Sequence, residues 1–220
     1  MAKFITKFNT TAELAIFSAT TNFGRPHVSL TKDDSKVHYF ENDPYNGHEY
    51  VDLGLPSGTK WATMNVGASS ETDYGNYYQY GKGAAQYTET FNDSDYRGIE
   101  DPLDSSVDTA TQVWGGSWHM PTKVQMEELV ANTTYEWVEN YKGSGINGGT
   151  FTATNGAVLF LPVAGYWYNG SPNRVGDDGN YWSSFPYNIS GACCLRFVRG
   201  GKVVDYYGRG WGYSVRPVIG

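Results

Sequence analysis

Hydrophobic and polar positions change rhythm along the chain. In the first 45 residues, Thr10-Thr11-Ala12-Glu13 has the form of a capping box ahead of Leu14, Ile16 and Phe17, which predicts a short helix. Pro26 blocks further helix. Val28 and Leu30, then Val37 and Tyr39, alternate on either side of Lys32-Asp33-Asp34-Ser35, the pattern of a small hairpin. So small a piece buries too little apolar surface to stand alone, and residues 1–45 read as an arm that docks on a neighbour.

From about Asn46 short apolar stretches are broken by glycine: Tyr50, Val51, Leu53, Leu55, Trp61 and Val66 alternate with Gly54, Pro56, Ser57, Gly58 and Gly67. Glycine at that spacing predicts strands and loops. One helix stands out, with Thr122 as its cap, Gln125 at the third helical position, Met126, Leu129 and Val130 on one face, and Asn132-Thr133 at its end. Beyond it the pattern predicts short strands. Thr150 to Ala153 turns at Asn155-Gly156 into Val158 to Leu161, and Cys194 to Phe197 and Lys202 to Val204 flank Gly200-Gly201, giving two hairpins. The predicted class is α+β, loop-rich, with short antiparallel strands and few helices.

Composition narrows the function. With 40% hydrophobic and 18% charged residues the chain has the means to fold, and a net charge of −7 argues against a chain-wide grip on nucleic acid or anionic lipid. No apolar run approaches the roughly 20 residues of a membrane span, and the opening residues lack the apolar stretch of a secretory signal. The expectation is a protein made in the bacterial cytoplasm, with no membrane insertion. Cys193 and Cys194 are adjacent, which suits neither an ordinary disulfide nor, with no nearby histidine, a zinc site. No cofactor is expected.

Aromatic and amide groups concentrate near the carboxyl end: Tyr166, Trp167, Tyr168, Asn169, Tyr206, Tyr207, Trp211 and Tyr213. Tyr and Trp offer large, stiff contact area with a hydrogen-bonding tip. Trp167, Tyr206, Tyr207 and Trp211 are therefore read as ligand contacts, and Trp61, Trp118 and Trp182 as core. Asn92-Asp93-Ser94-Asp95 with Glu100 and Asp101 gathers oxygen donors as a calcium loop does, but reads better as a solvated loop. Asp177-Asp178 between Gly176 and Gly179 suits an ordinary turn, and His119 a packed, hydrogen-bonded residue.

Six ordered motifs carry a resemblance. They are Tyr50-Val51-Asp52-Leu53-Gly54-Leu55-Pro56-Ser57-Gly58-Thr59-Lys60-Trp61-Ala62, Asp73-Tyr74-Gly75, Trp118-His119-Met120-Pro121-Thr122, Leu161-Pro162-Val163-Ala164-Gly165-Tyr166, Tyr181-Trp182-Ser183-Ser184 and Gly212-Tyr213-Ser214-Val215-Arg216-Pro217-Val218. Residues 49 to 218 thereby resemble the Fibrobacter succinogenes major paralogous domain, abundant in Bacteroidetes and their phages. The first 45 residues resemble leaders of Bacteroides phage structural proteins. The resemblance implies a C-type lectin-like fold related to formylglycine-generating enzymes, over residues 46–220. It also implies a ligand-binding C-terminal segment, about 166–213, of the kind that diversity-generating retroelements alter.

In that segment Ala192, Leu195, Phe197, Gly200, Val204, Arg209 and Gly212 look like scaffold. Between them stand Tyr187, Asn188, Ile189, Cys193, Cys194, Arg196, Val198, Arg199, Val203, Asp205, Tyr206, Tyr207 and Gly208, an idiosyncratic set. Neighbouring side chains on a strand face opposite ways, so Leu195 and Phe197 can hold a core while Arg196 and Val198 vary at the surface. Trp211 and Lys202 cannot come from a codon of the NNC form, so their template codons differ or they are scaffold.

The implied protein is a phage tail-fibre or virion-associated receptor-binding protein. Its arm holds a tail-fibre or baseplate protein or sister subunits, its domain binds a bacterial surface protein or polysaccharide, and it works as a homo-oligomer, a trimer by analogy with phage fibres. The expected ligand contacts are Trp167, Tyr168, Asn169, Tyr187, Asn188, Ile189, Cys193, Cys194, Arg196, Val198, Arg199, Val203, Asp205, Tyr206, Tyr207 and Trp211. A bacterial cell-surface adhesin or glycan-binding protein of the same fold is the alternative. An enzyme of the formylglycine-generating type needs a cysteine pair a few residues apart around copper, whereas these two are adjacent; no Ser-His-Asp order, His-Glu-x-x-His or phosphate loop stands out either.

Overall fold

A computed structural model describes residues 45–82 and 103–220, together with the backbone of residues 27–30 and 37–40. The capping box at Thr10 and the acidic loop around Asn92 lie outside the described residues. The chain divides into two units, Met1–Gly47 and His48–Gly220. In the first, β1 (His27–Leu30) pairs antiparallel with β2 (Val37–Phe40), setting Val28 opposite Tyr39 and Leu30 opposite Val37. The alternation of the sequence predicts this hairpin.

The second unit corrects the expected fold class. It is mostly β, and the α+β, C-type lectin-like architecture is not what forms. Among its described residues there are two α-helices, α1 (Thr109–Trp114) and α2 (Lys123–Asn132), against four small sheets. The reason lies in the turn chemistry: glycine-containing turns return the chain within a few residues, so the longer apolar stretches pair with their neighbours in sequence. Thus β6 (Thr133–Val138), β7 (Gly148–Ala153) and β8 (Val158–Pro162) form one meander. A second joins β11 (Gly179–Pro186), β12 (Gly191–Val198) and β13 (Gly201–Gly208). Both predicted hairpins are present, β7–β8 and β12–β13, with strands longer than the sequence pattern indicates.

Two smaller sheets tie distant segments together. The closing strand β15 (Val218–Ile219) pairs with β4 (Lys60–Ala62), which pairs with β3 (Tyr50–Val51). In the other, β14 (Gly212–Tyr213) lies between β5 (Tyr78–Gln79) and β9 (Tyr166–Tyr168), and β9 turns into β10 (Ser171–Asn173). Arg216, wholly buried between β14 and β15, donates to Asn65 Oδ1 at 2.8 Å and to the Ala62 carbonyl at 2.9 Å. Burial lowers its pKa to about 10, which still leaves it charged at neutral pH.

Helix α2 starts as the sequence indicates. Gln125 N donates to Thr122 Oγ1 at 3.2 Å, and Thr122 N donates to Gln125 Oε1 at 2.9 Å, closing the capping box. Gln125 Nε2 also reaches Thr59 Oγ1 and the Gly220 carbonyl, each at 3.1 Å, which fixes the helix over β4 and the chain end. Met126 and Leu129 enter a core made with Leu53, Trp61, Phe151, Leu161, Tyr181, Leu195 and Phe197. Each large apolar side chain buried there contributes about 1.5–3 kcal/mol. Helix α1 is shorter and went unpredicted. Asp108 caps it, accepting from Thr111 N at 2.8 Å, and also accepts from Met120 N.

Candidate functional site

The β12–β13 hairpin organises the candidate residues because its register is continuous from Gly191 opposite Gly208 to Val198 opposite Gly201. Residues directly opposite one another share a face of the sheet. The inner face therefore carries Cys193, Leu195 and Phe197, together with Tyr181 and Val204, and lies on the core. Gly179 stands opposite Phe197, where a Cβ would fall onto the phenyl ring. The outer face carries Cys194, Arg196 and Val198 with Val203, Asp205 and Tyr207. Arg196, Val198, Asp205 and Tyr207 are partly exposed there, and Val203 is 45% exposed.

The two cysteines are corrected from surface contacts to interior residues. Both are fully buried and free. Cys193 sits on the inner face, where the sheet meets α2. Cys194 is on the outer face at its covered end, opposite Trp182, whose indole stacks on Tyr213 with centroids 4.2 Å apart. Burial pushes the Cys193 thiol up to about 11 and that of Cys194 well above its ordinary value, so neither supplies a thiolate at neutral pH.

At the covered end of the outer face, where Tyr207 stands opposite Ala192, runs an aromatic ridge. Trp211 stacks on Tyr166 with centroids 4.8 Å apart, and Tyr168 and Tyr207 flank it at 5.2 and 5.8 Å. Trp167 faces the other way along β9, against Tyr77 at 5.9 Å, and does not join the ridge. Asn169 takes the left-handed conformation, φ 51°, and with Gly170 forms the two-residue turn between β9 and β10. Its side chain is exposed, and its place in the sequence is explained by the turn.

A separate patch lies on the opposite face of the sheet. Tyr187 stacks on Tyr206 with centroids 4.0 Å apart, and Lys123 Nζ sits 5.4 Å from the Tyr206 centroid. Tyr206 points to the inner-face side, so these residues do not adjoin Arg196 and Val203. Ile189 is 74% exposed next to them. Asn188 Oδ1 accepts from Ser190 N at 2.9 Å and Gly191 N at 2.7 Å, a turn-forming role.

What the sequence reading missed is Asp178. Read as half of an ordinary turn, it is buried, and its carboxylate meets Arg174 Nε at 3.0 Å and Arg196 Nη2 at 3.2 Å. The spacing of Arg174 and Asp178, four residues apart, was the available signal. Asp177 beside it is exposed, as a turn residue is expected to be. Arg199, at the hairpin tip, pairs with Glu139 and lays its guanidinium 5.6 Å from the Trp137 ring centroid. A cavity of about 210 Å³ opens between these groups.

Trp61, Trp118 and Trp182 are buried, and His119 bonds the Met120 carbonyl through Nδ1 at 2.9 Å. Among the described residues no group of three or more His, Cys, Asp or Glu side chains is placed to hold a metal ion. No helix among them is long and apolar enough to cross a membrane.

Comparison with protein-family models, curated proteins and solved structures finds no match.

Proposed function

We propose that this chain is a receptor-binding protein of a phage tail fibre or another part of the virion, and that it grips a bacterial surface molecule. The gripping surface is the outer face of β12–β13 with the ridge of Trp211, Tyr166, Tyr168 and Tyr207. The observation that carries this reading is the separation of faces in one hairpin. Leu195 and Phe197 are buried in the core, while Arg196, Val198, Val203 and Asp205 alternate with them and reach solvent. Chemistry can change on one side without disturbing packing on the other.

The surface suits recognition. It offers a cation, a carboxylate, a small apolar patch and stiff aromatic rings, the mixture that binding surfaces favour. The resemblance of six motifs to a domain found in Bacteroidetes and their phages, and to targets of diversity-generating retroelements, supports the same reading. Residues 1–45 attach the protein to a tail-fibre or baseplate protein or to sister subunits. As a homo-oligomer, a trimer, it turns weak single contacts into avidity gains of about 10²–10⁴.

The test is binding of the fluorescently labelled full chain to a panel of Bacteroides strains, read by flow cytometry. The reading predicts binding to a subset of strains. It also predicts loss of that binding in the triple variant Tyr168→Ala, Arg196→Ala, Val203→Ala, with circular dichroism unchanged. Binding to no strain, or binding indifferent to the triple change, contradicts it.

A further inference from the structure

Strand β13 ends its sheet: β12 lies on one side of it, and among the described residues no strand lies on the other. Val198 and Gly201 flank the two-residue turn of the hairpin and therefore form its closing hydrogen-bonded pair. By alternation, Val203 and Asp205 bond across to Arg196 and Cys194, while Lys202, Val204 and Tyr206 aim their backbone N–H and C=O groups away from the hairpin. Two contacts fit that phase. Ser183 Oγ reaches the Cys193 carbonyl from the β11 side at 2.9 Å, and Cys193 stands opposite Tyr206. Asp205 Oδ1 accepts from Tyr206 N at 2.8 Å, which occupies that outward donor. Among the described residues nothing pairs with the outward groups of Lys202 and Val204. A lysine often guards such an edge, but Lys202 turns its ammonium to within 5.5 Å of the Tyr135 ring centroid.

We infer that β13 pairs antiparallel with β13 of a second copy of this chain, about a two-fold axis through Val203. Unpaired backbone groups on an edge are a template for another strand, and here the free set is self-complementary. In this register Lys202 of each copy faces Val204 of the other, so every free N–H and C=O of those residues finds its partner. Val203 meets Val203, which joins two apolar side chains that are each 45% exposed. Asp205 falls opposite Gly201, and no like charges face each other. Neighbouring registers fare worse. An axis through Val204 sets Lys202 against Tyr206, whose N–H is already taken. An axis through Asp205 sets two carboxylates face to face, which is destabilising. The axis stands across the sheet, so both outer faces lie on the same side and two gripping surfaces continue as one. This contact goes beyond the gripping reading, because it is made by the backbone of β13, and it is separate from the association assigned to residues 1–45. Its small area makes it a weak one.

Sedimentation velocity of the full chain tests the pairing. Between about 10 µM and about 1 mM the average mass rises with concentration, as a contact of this size allows. Val203→Lys and Val203→Glu each set like charges at the axis, and each weakens the association about fivefold or more. Mixing the two variants in equal amounts restores it, because opposite charges then meet. Both substitutions fall at an exposed position, so circular dichroism stays that of the parent protein. Deuterium exchange of peptides spanning β13, read by mass spectrometry, slows as the parent protein is concentrated. A mass independent of concentration overturns the inference. Association that neither variant weakens, or a mixture that associates no better than its components, places the contact elsewhere and overturns it too. Exchange in β13 that is indifferent to concentration does the same, whatever the variants show.

Discussion

Arg196 on the outer face donates through Nη2 to Asp178 Oδ2 at 3.2 Å, and the same buried carboxylate meets Arg174 Nε at 3.0 Å on its other oxygen. One carboxylate thus sets two guanidinium groups, one in the gripping surface and one in the cavity wall. Asp178→Asn keeps the shape and removes the charge. Both arginines are partly exposed and can be hydrated again, so the expected loss of stability is about 1–3 kcal/mol rather than the larger cost of a fully buried pair. Chemical denaturation measures it, and a midpoint equal to that of the parent protein contradicts the pairing.

Buried thiols make a second prediction. Because Cys193 and Cys194 are fully enclosed and burial raises both pKa values, an aromatic disulfide reagent at pH 7.5 labels neither in the native protein and both in denaturant. Labelling of either thiol within minutes under native conditions contradicts the enclosure of that thiol.

Alkaline pH destabilises the fold. Burial raises Cys193 from 9.0 to about 11, and Tyr135 and Tyr181 from 10.0 to about 12. Each proton is held more tightly in the folded state, so this stability is complete below the unfolded pKa and is lost as pH rises through the folded one. Arg216, lowered from 12.5 to about 10, acts in the opposite direction and only above that pH. The raised groups begin to act first. Denaturation midpoints therefore fall between pH 9 and 11, and a flat profile there contradicts the assignment.

Two glycines of the same sheet region behave oppositely. Gly179→Ala drives a Cβ into the Phe197 ring at the centre of the core and costs about 1–3 kcal/mol. Gly200→Ala at the hairpin tip meets nothing within 4 Å and changes stability by about 0.5 kcal/mol or less. Thermal melts of the two variants check the pair.

Local signals were legible in the sequence. The capping box at Thr122, the hairpin at Asn155-Gly156 and the alternation of Leu195 and Phe197 with Arg196 all depend on residues a few positions apart, and each is present. Whatever depends on distant partners was not legible. Asp178 reads as a turn until Arg196, on another strand, is seen to reach it. Cys194 alternates outward as Arg196 does, yet is enclosed because Trp182 and Tyr213 stack over that end of the sheet. The overall architecture went the same way: a resemblance carried by motifs led to a lectin-like expectation, whereas short glycine turns close the chain into small antiparallel sheets.

The most direct measurement replaces Val198, Val203 and Asp205 together with residues of different charge and size, leaving Arg196 on its Asp178 partner and Cys193, Leu195, Phe197 and Val204 untouched. Strain binding and thermal unfolding are then read on one preparation. The account predicts that the set of bacterial strains bound is altered or lost while the melting temperature stays within a few degrees. Unfolding of the variant, or an unaltered pattern of strains bound, contradicts it.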